Sequence, residues 1–350
     1  SSVPRMDTVT STQFLTSLRR RCGRPPDITG CVPVDERTLI SKYFAGRQGS
    51  RPDVLLGIGD DAAVLRCEPG WDLVVATDSI AEGTHFPAGI PAHAIGHRCL
   101  AVNLSDLAAM AAEPLWCSLA LSLPKAEPLW LEEFAAGLFA LADRSGTALI
   151  GGDTVRGPLA ATITVQGRVR PGAAVTRAGA RIGDGIWVTG HPGDAVAGRL
   201  LLAGASQLAA TVRDALCQRF LYPEPRLHEG LALGALATAM LDVSDGLHDD
   251  IGKLMMASGR GAELDAGLLP VSAELRAAAA GRAIEYALTG GDDYELCFTV
   301  PEQATARLQA MAADWPVAIT RIGTVVREPG VRWQYQGRAL QVPDSTFRHF

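Results

Sequence analysis

Residues 57–65 read GIGDDAAVL, with two glycines and two adjacent aspartates between apolar runs. The apolar residues on either side predict two β-strands joined at the glycines. Adjacent carboxylates repel each other and shift each other's ionisation unless a cation lies between them. A glycine turn that carries Asp60 and Asp61 between two strands therefore indicates a cation site.

The same stretch matches G-x-G-x-x-A, the fingerprint of dinucleotide-binding loops. That loop brings backbone N–H groups against a pyrophosphate, and two carboxylates in it would repel the anion. The residues after Ala62 read as a strand, whereas the fingerprint requires a helix. This excludes a dinucleotide site, and an ordinary acidic turn remains the alternative to a cation site.

Length and composition restrict the class of protein. The chain has 350 residues, is 47% hydrophobic and carries a net charge of −6. This length favours two domains, and no apolar run of about 20 residues predicts a membrane span. The negative charge argues against nucleic acid as the main partner. Seven scattered cysteines without a C-x-x-C pair predict buried thiols in a reducing cytoplasm.

Several catalytic and metal motifs are missing. The only lysines are Lys42, Lys125 and Lys253, and none lies in a P-loop or in the strand of a protein kinase. His93 and His97 have the spacing of a zinc helix, but Ala94 stands where metalloproteases carry glutamate. No G-x-S-x-G motif supports a serine hydrolase. A protein of this sequence that uses ATP must hold it without a Walker lysine.

The apolar pattern predicts alternating strands and helices after residue 34. The predicted strands are 54–58, 62–67, 71–77, 115–122, 147–150, 159–169, 186–189, 239–243 and 296–300, with three more in the tail. The main predicted helices are 35–46, 92–112, 128–144, 209–220 and 226–238. Pro171-Gly172 predicts a boundary between domains 34–170 and 171–350. Residues 1–33 are arginine-rich and predict a disordered extension, with an RNA- or partner-binding arm as the alternative.

Aspartates recur beside glycine, serine or threonine at the predicted strand ends. These aspartates are Asp60, Asp61, Asp78, Asp153, Asp242 and Asp245. Asp106 instead lies on the mainly apolar helix 92–112, three residues after Asn103, and burying it there is costly without a partner. Any one of these residues alone is more simply structural. As a set they predict several Mg²⁺ ions, because Mg²⁺ binds a few carboxylates together with water and phosphate oxygens.

The motifs together resemble the thiamine-monophosphate kinases, within the superfamily of aminoimidazole ribonucleotide synthetase. The matching stretches are GIGDDAAVL (57–65), ATDSIAEGTHF (76–86), AVNLSDLAAMAAEP (101–114), LIGGDTVRGP (149–158), TRAGARIGDGIWVTGHPGD (176–194), DVSDGLHDDI (242–251) and ALTGGDDYELCFTV (287–300). The resemblance runs from residue 34 to the C-terminus. It implies an α/β (α+β) fold of two domains, in which a β-rich N-terminal domain forms a homodimer through a shared β-barrel. The C-terminal domain is α/β, and ATP binds near the dimer interface.

The resemblance also implies an activity and a site. The γ-phosphoryl group of ATP passes to thiamine monophosphate, which gives thiamine diphosphate in the last step of its biosynthesis. The implied Mg²⁺ ligands are Asp61, Ala76, Thr77, Asp78, Asp106, Asp153, Asp242 and Asp245, with K⁺ as an additional candidate ion. The implied ATP contacts are Gly152, Asp153, Arg177 and Ser244. The implied substrate contacts are His85, Phe347 and Asp292, which stands where relatives often have glutamate.

This chemistry suits a site rich in aspartate and poor in lysine. The acceptor is a phosphate with a second pKa of about 6, so it is ionised at neutral pH and needs no general base. The remaining obstacle is repulsion between two anions, which metal ions and in-line positioning offset. The alternatives are another ATP-dependent member of the superfamily, such as aminoimidazole ribonucleotide synthetase, selenophosphate synthetase or the hydrogenase maturation protein, and a non-catalytic metal- or nucleotide-binding relative.

Overall fold

Three β-sheets and the helices packed on them make up the described part of the chain. The computed structural model describes residues 36–45, 47, 51–59, 62–204 and 207–343. The predicted extension 1–33, the aspartates Asp60 and Asp61, and Phe347 lie outside these residues. Their predicted roles therefore stay predictions.

The first half is built on a four-stranded sheet of order β3-β6-β4-β5, in which only β4 and β5 run parallel. Its elements are α1 (Glu36–Leu39, continued by a π-helix at Ile40–Phe44), β1 (Val54–Leu56), β2 (Val64–Leu65), β3 (Asp72–Ala81), α2 (Ala92–Ala109), β4 (Glu113–Leu123), α3 (Pro128–Ser145), β5 (Ala148–Arg156) and β6 (Ala160–Val169). Buried and half-exposed residues alternate along β6. One face of the sheet therefore packs on helices, and the other is open.

Helices α2 and α3 approach each other unusually closely at two glycines. A Cβ at Gly96 would lie 2.0 Å from the carbonyl oxygen of Phe134, and one at Gly137 would lie 1.9 Å from that of His93. Since no side chain fits in these gaps, glycine is required at both positions. This contact fixes α2, the helix that carries Asn103 and Asp106.

The second half is built on a seven-stranded sheet of order β13-β12-β9-β11-β7-β10-β8. Its elements are β7 (Gly185–Thr189), α4 (Asp194–Ala203), α5 (Ala210–Leu221), α6 (Leu227–Leu233), β8 (Ala239–Val243), α7 (Leu247–Ser258), β9 (Gly261–Asp265), α8 (Ala273–Ala278), α9 (Ala283–Thr289), β10 (Glu295–Val300), α10 (Thr305–Ala312), β11 (Ile319–Val326), β12 (Gly330–Tyr335) and β13 (Arg338–Leu340), with 3₁₀ turns at Ala266–Leu268 and Glu302–Ala304. Separate apolar clusters contain Val188 with Cys297 and Trp187 with Phe298, so alternate residues of β7 and β10 face two cores. The sheet is therefore buried on both faces at its centre.

Two strands are longer than the apolar pattern predicts. Strand β3 continues to Ala81 because β6 pairs with it residue by residue from Asp72 to Ala81. Strand β5 likewise continues to Arg156 along β4. Asp78 and Asp153 therefore lie within strands, and their prediction as strand-end residues is wrong.

The predicted helix 226–238 is also too long, since α6 covers only Leu227–Leu233. The predicted domain boundary at Pro171-Gly172 falls between β6 and β7, the strands that end the first sheet and begin the second. Among the described residues, no helix is both long and apolar enough to span a membrane.

Candidate functional site

Asn103 on α2 holds the backbone of β3 at Asp78. The side-chain oxygen of Asn103 accepts a hydrogen bond from the backbone N–H of Asp78 at 2.8 Å, and its amide donates to the carbonyl of Cys99 at 2.9 Å. Asn103 is fully buried. Asp106 lies three residues further along α2, on the same side of the helix. One helix face therefore fixes Asp78 and presents Asp106 beside it.

Asp242 on β8 joins this group from the second half of the chain. The Ser105 hydroxyl donates to its carboxylate at 2.7 Å. Burial raises the pKa of Asp242, and the hydrogen bond from Ser105 opposes that shift. Burial, followed by the charges of Asp242 and Asp78, also raises the pKa of Asp106. The three carboxylates are therefore close enough to repel one another.

Asp245 lies in the turn after β8 and faces Asp78, whose pKa is raised by burial and by the charge of Asp245. The buried carboxylate of Asp250 accepts the backbone N–H groups of Ser244 and Asp245, each at 3.0 Å. Lys253 donates to Asp250 at 2.6 Å and forms an ion pair with Asp245. The predicted metal ligand Asp245 therefore already has a cationic partner in this structure.

A cavity of about 120 Å³ collects five of the predicted residues. We call it the carboxylate cavity; its predicted members are Asp78, His85, Ser244, Asp245 and Asp292. His85 reaches it because its Nδ1 accepts the backbone N–H of Ala81 at 3.0 Å, which folds the loop after β3 back on the strand. Arg199 and Tyr294 also line the cavity. Residues far apart in the sequence are thus brought to one place.

The orientation of Asp292 depends on a buried arginine. Arg98 on α2 is fully buried and forms an ion pair with the Asp292 carboxylate. Arg98 also stacks on the ring of Phe220, 4.2 Å from its centroid. The backbone of Asp292 has φ of 69° and donates to the Ser244 carbonyl at 2.9 Å. Both halves of the chain therefore position this predicted substrate contact.

Gly152 and Asp153 line a different space, an open cleft of about 1010 Å³. We call it the glycine cleft, since Gly57, Gly59 and Gly151 also line it. Gly152 must be glycine because a Cβ there would lie 1.8 Å from the carbonyl oxygen of Leu119 on β4.

Asp153 is separated from Asp78 within the chain. In the register of the sheet, Asp153 on β5 is opposite Ala120 on β4, which is opposite Thr162 on β6, which is opposite Ser79 on β3. Asp153 therefore lies three strand spacings from Ser79, at about 14 Å. Successive residues of β3 face opposite sides of the sheet, so Ser79 and Asp78 point away from each other. The structure therefore does not bring Asp153 into the group formed by Asp78 and Asp106.

The remaining predicted contacts surround these two spaces. The Thr77 hydroxyl lies 2.9 Å from that of Thr164 on the open face of the sheet, and Ala76 precedes it on β3. Arg177 is exposed, and its positive charge lowers the pKa of Asp106 against the larger effect of burial. Arg177 is therefore close to the carboxylates, although it does not line the carboxylate cavity.

The donor atoms fit Mg²⁺ better than zinc. Among the described residues, no group of three or more His, Cys, Asp and Glu side chains is arranged to hold one ion. Carboxylate oxygens in smaller groups match Mg²⁺, which usually keeps water or phosphate oxygens among its ligands. The contacts of His93 and His97 argue against a zinc site formed by this pair. His97 Nε2 lies 2.9 Å from the Pro223 carbonyl, so it is already hydrogen-bonded, and the rings of both histidines pack on Tyr222.

Sequence reasoning did not identify Arg98, Arg199 or Tyr294 as functional. Asp250 and Lys253 lie within and just after the quoted stretch 242–251, and their i, i+3 spacing is a signal that could have paired them. Arg98 offers no such signal, because its partner is 194 positions away.

Comparison with known proteins identifies the family. The profile of the AIR synthase related protein N-terminal domain matches residues 59–169, and that of the C-terminal domain matches residues 181–336. A thiamine-monophosphate kinase of Escherichia coli (strain K12) is 43% identical over 318 residues, which cover 90% of this chain and 98% of the relative.

Solved structures agree with this. The crystal structure of a thiamine-monophosphate kinase from Stenotrophomonas maltophilia K279a has a TM-score of 0.77 at 47% identity, and covers 83% of this chain and 93% of that one. The structure of AaThiL complexed with AMPPCP and TMP has a TM-score of 0.71 at 30% identity, with coverage of 89% and 95%. The predicted family and fold are therefore confirmed, and this chain belongs to the thiamine-monophosphate kinases, a family of phosphotransferases built from the two AIR synthase related domains.

Proposed function

We propose that this protein transfers the γ-phosphoryl group of ATP to thiamine monophosphate, which yields thiamine diphosphate and ADP. The family supports the reaction, and one relative is complexed with AMPPCP, an analogue of ATP, and with TMP, which we interpret as thiamine monophosphate. The observation that carries the proposal is the carboxylate cavity, where Asp78 and Asp245 meet the predicted substrate contacts His85 and Asp292. The reaction completes thiamine diphosphate synthesis, and the scattered cysteines favour the cytoplasm as its location.

Several Mg²⁺ ions would be held by the four carboxylates of Asp78, Asp106, Asp242 and Asp245. Burial, followed by the charges of neighbouring aspartates, raises the pKa values of the first three, and bound cations would relieve the repulsion between the carboxylates. When bound, Mg²⁺ neutralises negative charge on the phosphates. Asp61, Ala76, Thr77 and Asp153 are proposed to complete the metal shells, with K⁺ as an additional ion.

The residues around the cavity position two anions for in-line transfer. His85 and Asp292 would hold the acceptor, and the Arg98 ion pair would keep the Asp292 carboxylate in place. Asp292 is shorter than glutamate, and its backbone contact with Ser244 brings it toward the cavity. No side chain has to remove a proton, because the acceptor phosphate is already ionised. Phe347 is proposed to stack on the thiamine.

ATP would contact Arg177 and Ser244 near the carboxylates, and Gly152 and Asp153 along the glycine cleft. Gly152 is exposed there, so its backbone is accessible to a ligand. We further propose a homodimer formed through the open face of the first sheet. The apolar side chains of Leu73 and Val75 on this face are 52% and 55% exposed, and a partner subunit would cover them.

The direct test is to incubate the protein with ATP, Mg²⁺ and thiamine monophosphate and to measure thiamine diphosphate and ADP by chromatography. Free thiamine and aminoimidazole precursors serve as control acceptors. We expect equal amounts of both products from thiamine monophosphate and none from the controls. Turnover of another acceptor, with none of thiamine monophosphate, would assign the chain to a different branch of the superfamily.

A further inference from the structure

Arg199 on α4 lines the carboxylate cavity, and it is the only arginine or lysine among the described residues that do so. The other lining groups include the acids Asp78, Asp245 and Asp292. Two of these acids already have a cationic partner, since Lys253 pairs with Asp245 and Arg98 with Asp292. Arg199 is therefore not needed to neutralise them.

The guanidinium of Arg199 has no hydrogen-bond or ion-pair partner within the described part of the chain. Arg199 is only half-buried, so water can solvate it in the free protein. A guanidinium carries five N–H donors in a planar fork, which matches two oxygens of a phosphate group. Its free donors and its place in the cavity point to an anionic ligand.

Helix α4 holds Arg199 in a defined position. The Asp293 carboxylate accepts the backbone N–H of Gly193 at 2.8 Å, where α4 begins. Gly198 packs against α5 so closely that a Cβ there would lie 2.1 Å from the carbonyl oxygen of Leu216. Asp293 directly follows Asp292, so one loop fixes both the helix of Arg199 and the opposite wall of the cavity.

We propose that Arg199 binds the phosphate group of the acceptor and so makes the site specific for a phosphorylated substrate. This inference rests on the proposed function and deepens it. Arg199 offers the phosphate a bidentate, charge-assisted contact. Unphosphorylated thiamine cannot make this contact.

The test compares binding of thiamine monophosphate and of thiamine to the full-length protein with Mg²⁺ and AMPPCP, by calorimetry, in the wild type and Arg199→Gln. We expect the substitution to weaken thiamine monophosphate binding about 10- to 100-fold, the value of hydrogen bonds to a charged group, and to leave thiamine binding within about twofold. Arg199→Lys keeps the charge but lacks the planar fork, so its affinity for thiamine monophosphate should lie between those of the wild type and Arg199→Gln. The KM for thiamine monophosphate should rise in parallel, while that for ATP stays unchanged.

Arg213→Gln on the neighbouring helix α5 is the matched control, because Arg213 is exposed and outside the cavity; we expect it to match the wild type. Equal weakening of thiamine and thiamine monophosphate in Arg199→Gln would overturn the inference, as would a raised KM for ATP alone. The wild type separates the two hypotheses. If it phosphorylates thiamine monophosphate and Arg199→Gln binds it normally, only the role of Arg199 is wrong. If the wild type neither binds nor phosphorylates it, both proposals fail.

Discussion

The backbone N–H of Asp78 donates to the side-chain oxygen of Asn103 at 2.8 Å, which ties a strand of the first sheet to the helix that carries Asp106. Asn103 is the only asparagine in the chain and is fully buried. Its amide also donates to the Cys99 carbonyl. Through these contacts, one neutral side chain sets the distance between two proposed metal ligands.

We expect Asn103→Ala to lower kcat by about tenfold or more, because it frees the backbone of Asp78 from α2 and loosens the proposed metal site. It should also lower the free energy of unfolding by about 1–3 kcal/mol, since a buried N–H loses its acceptor. Steady-state kinetics and denaturant unfolding measure both effects. Unchanged kcat in a destabilised protein would show that the tie serves stability alone.

Asp78→Asn and Asp106→Asn should each lower turnover by orders of magnitude while the fold persists. Each variant removes a charged oxygen ligand and keeps nearly the same shape. Titrating activity against Mg²⁺ should show weaker metal activation, and circular dichroism should be unchanged. Asp72→Asn is the control, because Asp72 is exposed at the start of the same strand and should leave activity intact. Near-normal activity in either site variant contradicts the metal-ligand assignment.

The carboxyl of Asp106 should make the stability of the metal-free protein depend on pH. Burial and the charges of Asp242 and Asp78 raise its pKa from 3.8 to about 7. Between these two values the folded state binds more protons than the unfolded state, so stability falls as pH rises. We expect the Tm of the metal-free protein to fall between about pH 4 and about pH 7, and Asp106→Asn to flatten this slope.

Adding Mg²⁺ should reverse the trend, because protons and the metal compete for the same carboxylates. The apparent Mg²⁺ affinity should therefore rise with pH across the pKa of Asp106. Differential scanning fluorimetry with EDTA or with Mg²⁺ measures both slopes. A Tm slope that is identical in Asp106→Asn and the wild type would exclude Asp106 as its source.

Val75→Asp should convert the proposed homodimer into a monomer. Val75 is 55% exposed on the open face of the first sheet, where a buried, unpaired carboxylate in an interface would be costly. Leu129→Asp is the control, because Leu129 is 70% exposed at the start of α3, away from that face. Analytical ultracentrifugation should give a dimer for the wild type and the control. A wild-type monomer would refute the dimer outright.

Gly137→Ala should destabilise the protein by about 1–3 kcal/mol through overpacking, although alanine favours a helix over glycine by about 1 kcal/mol. The added Cβ would lie 1.9 Å from the His93 carbonyl oxygen and force α2 and α3 apart. Gly252→Ala within α7 is the control, since a Cβ there meets no atom within 4 Å and should stabilise. Thermal unfolding should give a lower Tm for Gly137→Ala and a higher Tm for Gly252→Ala than for the wild type. Stabilisation by Gly137→Ala would show that the helices separate at little cost.

The sequence was informative where the signal is local. The apolar pattern predicted most strands and helices, and aspartates beside serine, threonine or glycine marked the regions that carry Asp78, Asp242 and Asp245. The resemblance added His85 and Asp292, and the structure brings both to one cavity with Asp78.

What the sequence could not predict depends on partners distant in the chain. Strand β3 continues past Thr77 because β6 pairs with it, which a pattern within one segment does not encode. The Arg98–Asp292 ion pair joins the two halves, and no spacing rule connects positions 194 apart. The separation of Asp153 from Asp78 likewise follows from the register of four strands.

The loop from Gly290 to Tyr294, together with Glu295 at the start of β10, is connected to three helices or their ends. Asp292 forms an ion pair with Arg98 on α2, and the Asp293 carboxylate accepts the backbone N–H of Gly193 at the start of α4. Glu295, directly after the loop, forms an ion pair with Arg226, which precedes α6. A substitution that breaks any one of these contacts therefore moves several walls of the carboxylate cavity together. Redesign of this protein for a different acceptor cannot exchange the lining residues one at a time. It must alter the loop and its anchoring residues as a unit, so new specificity requires coordinated substitutions, some of them outside the cavity.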